Sequence, residues 1–303
     1  MTANLIGVAA IARAAYERRD LSPLLDALRQ RVVADAFDTS ALLDLATLLE
    51  VCGQRKKSAE LQATALSWGR LYEMVNGTGR GLRVLQIKTA GNLMTNTPVE
   101  FLLENSDVRL ISLYVDASME EFPPLPEHDV AIMAVGESEA SGPVLELLQR
   151  WQTLWPRRVL NNVPRRIMAL ARERLAGEFD CARHVVVPET HAVEATTLRA
   201  IANETTTLDE ALPGLAYPVV VRPFGAHAGH GTQKIKCAPD IANYLQHVAG
   251  GRFTITPFFD YASPDGYYRK QRIAFIDGRP FASHMAVSRH WMLIQDCQLL
   301  TCQ

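Results

Sequence analysis

Apolar residues recur at helical spacing through the first quarter of the chain. Leu24, Leu25, Leu28, Val32 and Val33 form one stripe, with Ser22 as the expected N-cap and Pro23 at the first helical position. Leu42, Leu45, Leu48, Leu49 and Cys52 form the next, and Gly53 sits where a C-terminal cap belongs. Leu61, Ala65, Trp68, Tyr72 and Val75 form a third. The connections are short, which makes neighbouring helices antiparallel. Residues 1–77 therefore read as an all-helical region, opened by a short amphipathic helix within 1–20.

The pattern then changes. Asn76-Gly77-Thr78-Gly79 reads as a joint. Short apolar strands follow at 82–87, 108–115, 130–135 and 158–160. A helix starts at the capping-box pattern Thr97-Pro98-Val99-Glu100, and another runs from Ser141-Gly142-Pro143 to Trp155. Strands alternating with helices predict parallel β-α-β units, so 80–160 reads as a small Rossmann-like α/β domain. Gly91, Asn92 and Asn96 fall in its first strand-to-helix loop. Ligands sit at such loops in open parallel sheets, and glycine and asparagine also simply shape turns. No GxGxxG follows the first strand, which disfavours a dinucleotide site of the usual kind.

From 161 onward the expected order is a basic helix over 165–175, a strand at 185–190, and the stretch Tyr217–Lys236 (YPVVVRPFGAHAGHGTQKIK). In that stretch an unbroken β-branched run ends in Arg222. Gly225, Gly229 and Gly231 follow within seven residues, with a second strand behind them. A glycine-rich turn between two strands can present bare backbone N–H groups to phosphates, and a cation on the first strand can neutralise them. A long hairpin with glycines for turning is the plain alternative. The spacing is not a Walker A loop. Beyond it come a helix over 240–248, a strand over 253–261, and two strands around the tight turn Asp277-Gly278-Arg279-Pro280.

Composition narrows the partners. Apolar residues make up 48% and charged residues 21% of 303, and the formal charge is −2. That is ordinary globular composition, with no global positive field to draw the chain to nucleic acid or to a membrane surface. Cys52, Cys181, Cys237, Cys297 and Cys302 are odd in number and scattered, without a CxxC pair, so neither a zinc site nor a disulfide framework is expected. Reduced thiols in a cytoplasmic protein are the simplest account. The N-terminus lacks the basic region of a signal peptide, and no apolar stretch is long enough to span a bilayer.

The order of parts over 80 to about 292 resembles the ATP-grasp superfamily, and within it the RimK-like ligases. The resemblance implies an α/β fold: an α+β ATP-grasp domain over 161–303, preceded by the small parallel domain and the helical region. It implies ATP and Mg2+ as cofactors and, as partners, ATP and a small-molecule or peptide carboxylate. Activity would be carboxylate–amine or carboxylate–thiol ligation through an acylphosphate. Residue by residue, the phosphate cations of the family match Arg174 and Arg222, the second standing where the family has lysine. The glycine loop matches Gly225, His227, Gly229, His230, Gly231 and Thr232. The adenine-lining hinge matches Thr256, Phe258, Phe259 and Asp260, and a family arginine on the next strand matches Arg272. His284 and His290 fall near where family members approach the phosphates or the acceptor. Metal ligands are not identifiable: after Trp291 only twelve residues follow, and Asp296 is the sole acidic residue after Asp277. The helices starting near Pro23 and Lys57 are 34 apart, the tetratricopeptide period. The region is thus tetratricopeptide-like or a plain helical hairpin, and a protein partner could dock on it. Three readings stay open: an ATP-dependent ligase, a degenerate nucleotide-binding protein, and a helical-repeat interaction protein.

Overall fold

The structure, a computed structural model, describes residues 5–226 and 229–293, and the backbone of 298–300. It divides into two compact units, Met1–Ala171 and Arg172–Gln303.

The first unit opens with four helices, α1 (Val8–Tyr16), α2 (Ser22–Ala34), α3 (Thr39–Val51) and α4 (Arg55–Trp68). α3 is the central one and packs on the other three. Its apolar positions meet Ile11 and Leu28 in one buried cluster with Leu45 and Leu48. The expected helical stripe through Tyr72 and Val75 is corrected here: α4 stops at Trp68, Gly69 is extended, and Leu71–Val75 is a strand, β1. The chain turns extended there, and the ladder to a neighbouring strand satisfies the backbone that follows. Tyr72 points into the core, edge-on to Tyr114, while Leu71 faces out.

Then come β2 (Arg83–Lys88), α5 (Glu100–Leu103), β3 (Arg109–Tyr114), β4 (Val130–Met133), α6 (Gly142–Arg150), β5 (Val159–Leu160) and α7 (Pro164–Ala169). The sheet order is β1-β3-β2-β4-β5. β2 is parallel to both β3 and β4, β4 is parallel to β5, and β1 runs antiparallel at the edge. The parallel α/β expectation holds, with the helical region contributing a strand to the same sheet. The chain steps from β2 to one side and then to the other, so the switch point of the sheet lies at the end of β2.

The expected capping box at Thr97 does not form: α5 is one turn long and has no side-chain cap. Glu100 turns inward instead and pairs with Lys88 at the end of β2, Nζ to Oε1 2.8 Å, both side chains buried. Burial pulls the Lys88 ammonium down, but the adjacent Tyr114 hydroxyl and Glu100 more than offset it, so the lysine stays charged.

A second buried acid closes the helical region. Asp44 accepts the backbone N–H groups of Ile6 and Gly7, at 2.8 and 3.0 Å, and ties the entry of α1 to α3. Burial pushes its carboxyl up to about 6, against the pull of those two N–H groups. The folded state therefore holds this proton more tightly than the unfolded chain does, and the stability it contributes is present below about pH 4 and lost as pH rises through about 6. That displacement corresponds to about 3 kcal/mol. Measured by urea unfolding, wild type should lose up to that amount relative to Asp44→Asn between pH 4 and 7; a pH-independent difference would refute the assignment.

The second unit comprises α8 (Arg172–Glu178), β6 (His191–Glu194), α9 (Ala195–Ala202), α10 (Leu208–Ala211), β7 (Val219–Pro223), β8 (Gln233–Ile235), α11 (Ala238–His247), β9 (Arg252–Pro257), β10 (Tyr268–Ile276), β11 (Arg279–Ser288) and β12 (Gln298–Leu300). Two expectations are corrected. The basic helix over 165–175 is broken at Leu170 and Ala171 into α7 and α8. No strand forms at 185–190, where Val185 and Val186 are exposed; the strand is β6, six residues on. The antiparallel sheet β6-β9-β7-β8 buries Val219, Val221, Ile235, Phe253 and Ile255 against α9 and α11. β10, β11 and β12 form a separate antiparallel sheet.

Candidate functional site

A strand exposes alternate residues to opposite faces of its sheet. Val219 and Val221 go to the core, so Val220 and Arg222 take the opposite face. Register puts Thr256 and Lys234 beside Val220, and Thr254 beside Arg222. One face of this four-stranded sheet is thus an oil-filled core, and the other carries Arg222, Thr254, Thr256 and Lys234. Periodicity alone sorts the cations onto the face away from the helices.

Arg222 is half-buried at the exit of β7, its Nε donating to Thr254 Oγ1 at 3.1 Å. Its guanidinium is pulled down to about 10, by burial first and by the like charge of Arg172 second. Arg172, at the start of α8, donates from Nη1 to the carbonyl of Ala226 at 3.0 Å and so joins that helix to the glycine turn. Among the described residues no carboxylate pairs with either arginine. Two cations held together in a partly desolvated place without a counter-charge leave a site that an anion relieves.

The turn above them is built for close approach. Gly225, Gly229 and Gly231 all have positive φ. A side chain at Gly231 would also meet the Pro223 ring at 2.8 Å. Tyr244 of α11 donates its hydroxyl to the Gly231 carbonyl at 2.8 Å and anchors the end of the turn.

Beside the turn, Lys234 Nζ lies 3.3 Å from the centre of the Phe258 ring, and Phe258 meets Trp291 edge-on at 5.5 Å. An open cavity of about 480 Å3 is lined by Thr232, Lys234, Lys236, His290, Trp291 and Met292. Thr256 hydrogen-bonds Thr190 across the sheet edge, Oγ1 to Oγ1 3.0 Å. An aromatic and cationic wall on the sheet face that carries Arg222 suits a flat base with a charged tail.

The sequence candidates fall into three groups. Arg222, Gly225, Gly229, Gly231, Thr232, Thr256 and Phe258 lie together around the polar face and its turn, and His230 is exposed on the turn. Arg174 is exposed on α8, two residues from the inward Arg172 and so on roughly the opposite side of the helix. Phe259 is exposed, and Asp260 is taken up locally, accepting from Ala262 N and bonding the Tyr268 hydroxyl. Arg272 and His284 face each other across β10 and β11 at a register shift, and no hydrogen bond or ion pair among the described residues joins them to Arg222. His227 and Asp296 lie outside the described residues. Sequence reading missed Arg172, Lys234 and Trp291. Lys234 was findable, since it lies two residues beyond Thr232 at the start of the strand that follows the glycine turn.

For magnesium, no group of three His, Cys, Asp or Glu side chains is assembled among the described residues. The donor set at the site is arginine and lysine, which repels a divalent ion rather than ligating it. No helix among the described residues is long and apolar enough to cross a membrane. Cys52, Cys181 and Cys237 are free thiols.

No protein-family model and no curated protein sequence matches the chain. Solved structures similar to it include D-cycloserine synthetase DcsG, at 17% identity and TM-score 0.39 over 72% of this chain and 71% of that one. A RimK domain ATP-grasp protein from Sphaerobacter thermophilus is similar at 18% identity and TM-score 0.36, over 62% and 68%. D-alanine–D-alanine ligase from Helicobacter pylori is similar at 12% identity and TM-score 0.33, over 54% of this chain; the match spans 46% of that ligase's length. At these identities and TM-scores the site has to be read from the chain's own residues.

Proposed function

We propose that the second unit binds ATP, and that the chain serves an ATP-dependent carboxylate–amine ligation. The observation that carries nucleotide binding is the pair Arg222 and Arg172 beside a glycine turn, with no carboxylate paired to either among the described residues. The order strand, glycine turn, strand, helix, strand and hairpin, which resembles RimK-like ATP-grasp ligases, supports the ligase reading.

Arg222 and Arg172 would hold the polyphosphate, each guanidinium offering several N–H donors to phosphate oxygens. Backbone N–H groups of the turn would add to that cradle. Phe258, Thr256 and Trp291 would hold the base. Bound ATP would supply the phosphoryl group that activates a substrate carboxylate, so that an amine can displace phosphate at the acyl carbon and shed its proton. The chain's own contribution is charge neutralisation and positioning.

The test is a thermal-shift titration with ATP, ADP and AMP. Two guanidinium groups prefer the longer phosphate chain, so ATP and ADP should stabilise by roughly 2.7 kcal/mol at about 100 times their dissociation constants. AMP at the same concentrations should do far less. Equal stabilisation by AMP, or none by any of the three, would overturn the reading.

A further inference from the structure

Wholly within the first unit, a polar cavity lies at the end of β2, the switch point of the parallel sheet. Its floor is Lys88, Glu100 and Tyr114, and its roof is Glu50 of α3 with Ser58 and Gln62 of α4. The loop after β2 forms its side. Gln62 holds that loop at both polar atoms of Gly91, accepting from N at 2.8 Å and donating to O at 3.1 Å. Glu50 Oε1 accepts from Leu93 N at 3.0 Å. Asn96 spans the loop base, bonded to both N and O of Thr89. The walls are therefore fixed from both sides before any ligand arrives.

The free valences decide what fits. An ammonium has three donors, and Glu100 takes one of those of Lys88, whose Nζ also lies 5.6 Å from the centre of the Tyr114 ring. A carboxylate has two oxygens, and Leu93 takes one of Glu50's. Ser58, buried on α4, adds a hydroxyl. One wall thus offers a spare cationic donor and the facing wall a spare anionic acceptor. The space open to a water's centre is about 40 Å3, and a second hollow sharing Thr47, Lys88, Glu100 and Tyr114 adds about 20 Å3. At ~10–15 Å3 per water on that measure, the volume suits a handful of heavy atoms and excludes a nucleotide.

We propose that this cavity binds a small zwitterion, an α-amino acid of glycine or alanine size, with its carboxylate on Lys88 and its ammonium on Glu50. The proposal does not depend on nucleotide binding by the second unit. Calorimetric titration of the full chain without nucleotide, using glycine, alanine, sodium acetate and ammonium chloride at matched ionic strength, tests it. Glycine or alanine should bind saturably, and acetate and ammonium each about tenfold or more weaker, since each makes only one of the two contacts. Glu50→Gln keeps the acceptor for Leu93 and removes the charge, so amino-acid affinity should fall about tenfold or more while acetate is unaffected. Ser58→Leu fills the space and should abolish both. Acetate binding as tightly as glycine, an affinity unchanged in Glu50→Gln, or no amino-acid binding at all would each overturn the proposal.

Discussion

Lys88→Met should destabilise the first unit by about 3–5 kcal/mol, the cost of leaving the buried Glu100 carboxylate without its cation. Both partners are nearly inaccessible to water, and their ion pair is the short contact between the end of β2 and α5. The small cavity above them admits only a few waters, too few to replace the bulk hydration of a stranded charge. The loss should therefore shrink as pH falls and the stranded carboxyl takes a proton. Lys88→Met combined with Glu100→Leu should recover much of the deficit, because two apolar groups of similar volume remove the unpaired charge. Denaturant unfolding of the two variants at pH 5 and 8 checks this. A single variant as stable as wild type at pH 8 would mean that the pair does not hold this end of the sheet.

Arg222→Ala should act in the opposite sense on stability and binding. With ligand absent, removing the guanidinium relieves its repulsion with Arg172 and its own desolvation, so the unfolding midpoint should hold or rise. With ATP present, the variant should lose about 2–4 kcal/mol of binding, a dissociation constant raised by roughly 30- to 1000-fold, because charge-assisted bonds to phosphate vanish. Arg222→Lys should fall between, since an ammonium keeps the charge and loses the planar fork. Thermal denaturation paired with nucleotide titration separates the two effects. A variant that unfolds earlier yet binds ATP like wild type would make Arg222 a structural residue only.

These two sites differ in how far they could be read from the sequence, and the reasons are physical. Val219–Val221 ends in a cation at the edge of an apolar run, a local pattern, so both the strand and Arg222 were legible. Val185 and Val186 carry the same β-branched signal and are exposed outside any strand, because propensity does not supply a pairing partner. Arg172 and Arg174 sit on one basic stretch, and which of them turns inward depends on the break after α7, which no residue in that stretch announces. Tyr72 fitted a helical stripe, yet the chain turns extended at Gly69 and the pairing with β3 makes 71–75 a strand. The Lys88–Glu100 pair was hidden for the converse reason. Thr97 and Glu100 satisfied a local capping rule, while a lysine twelve residues back in the chain offered the carboxylate a stronger, buried partner.

β1 has a consequence for how this protein can vary. The chain leaves α4 and enters the sheet at its edge without a linker, and Gln62 and Glu50 grip the neighbouring loop. The last two helices act as a roof nailed to the wall plate: trimming them would unroof the chamber and bare a strand edge.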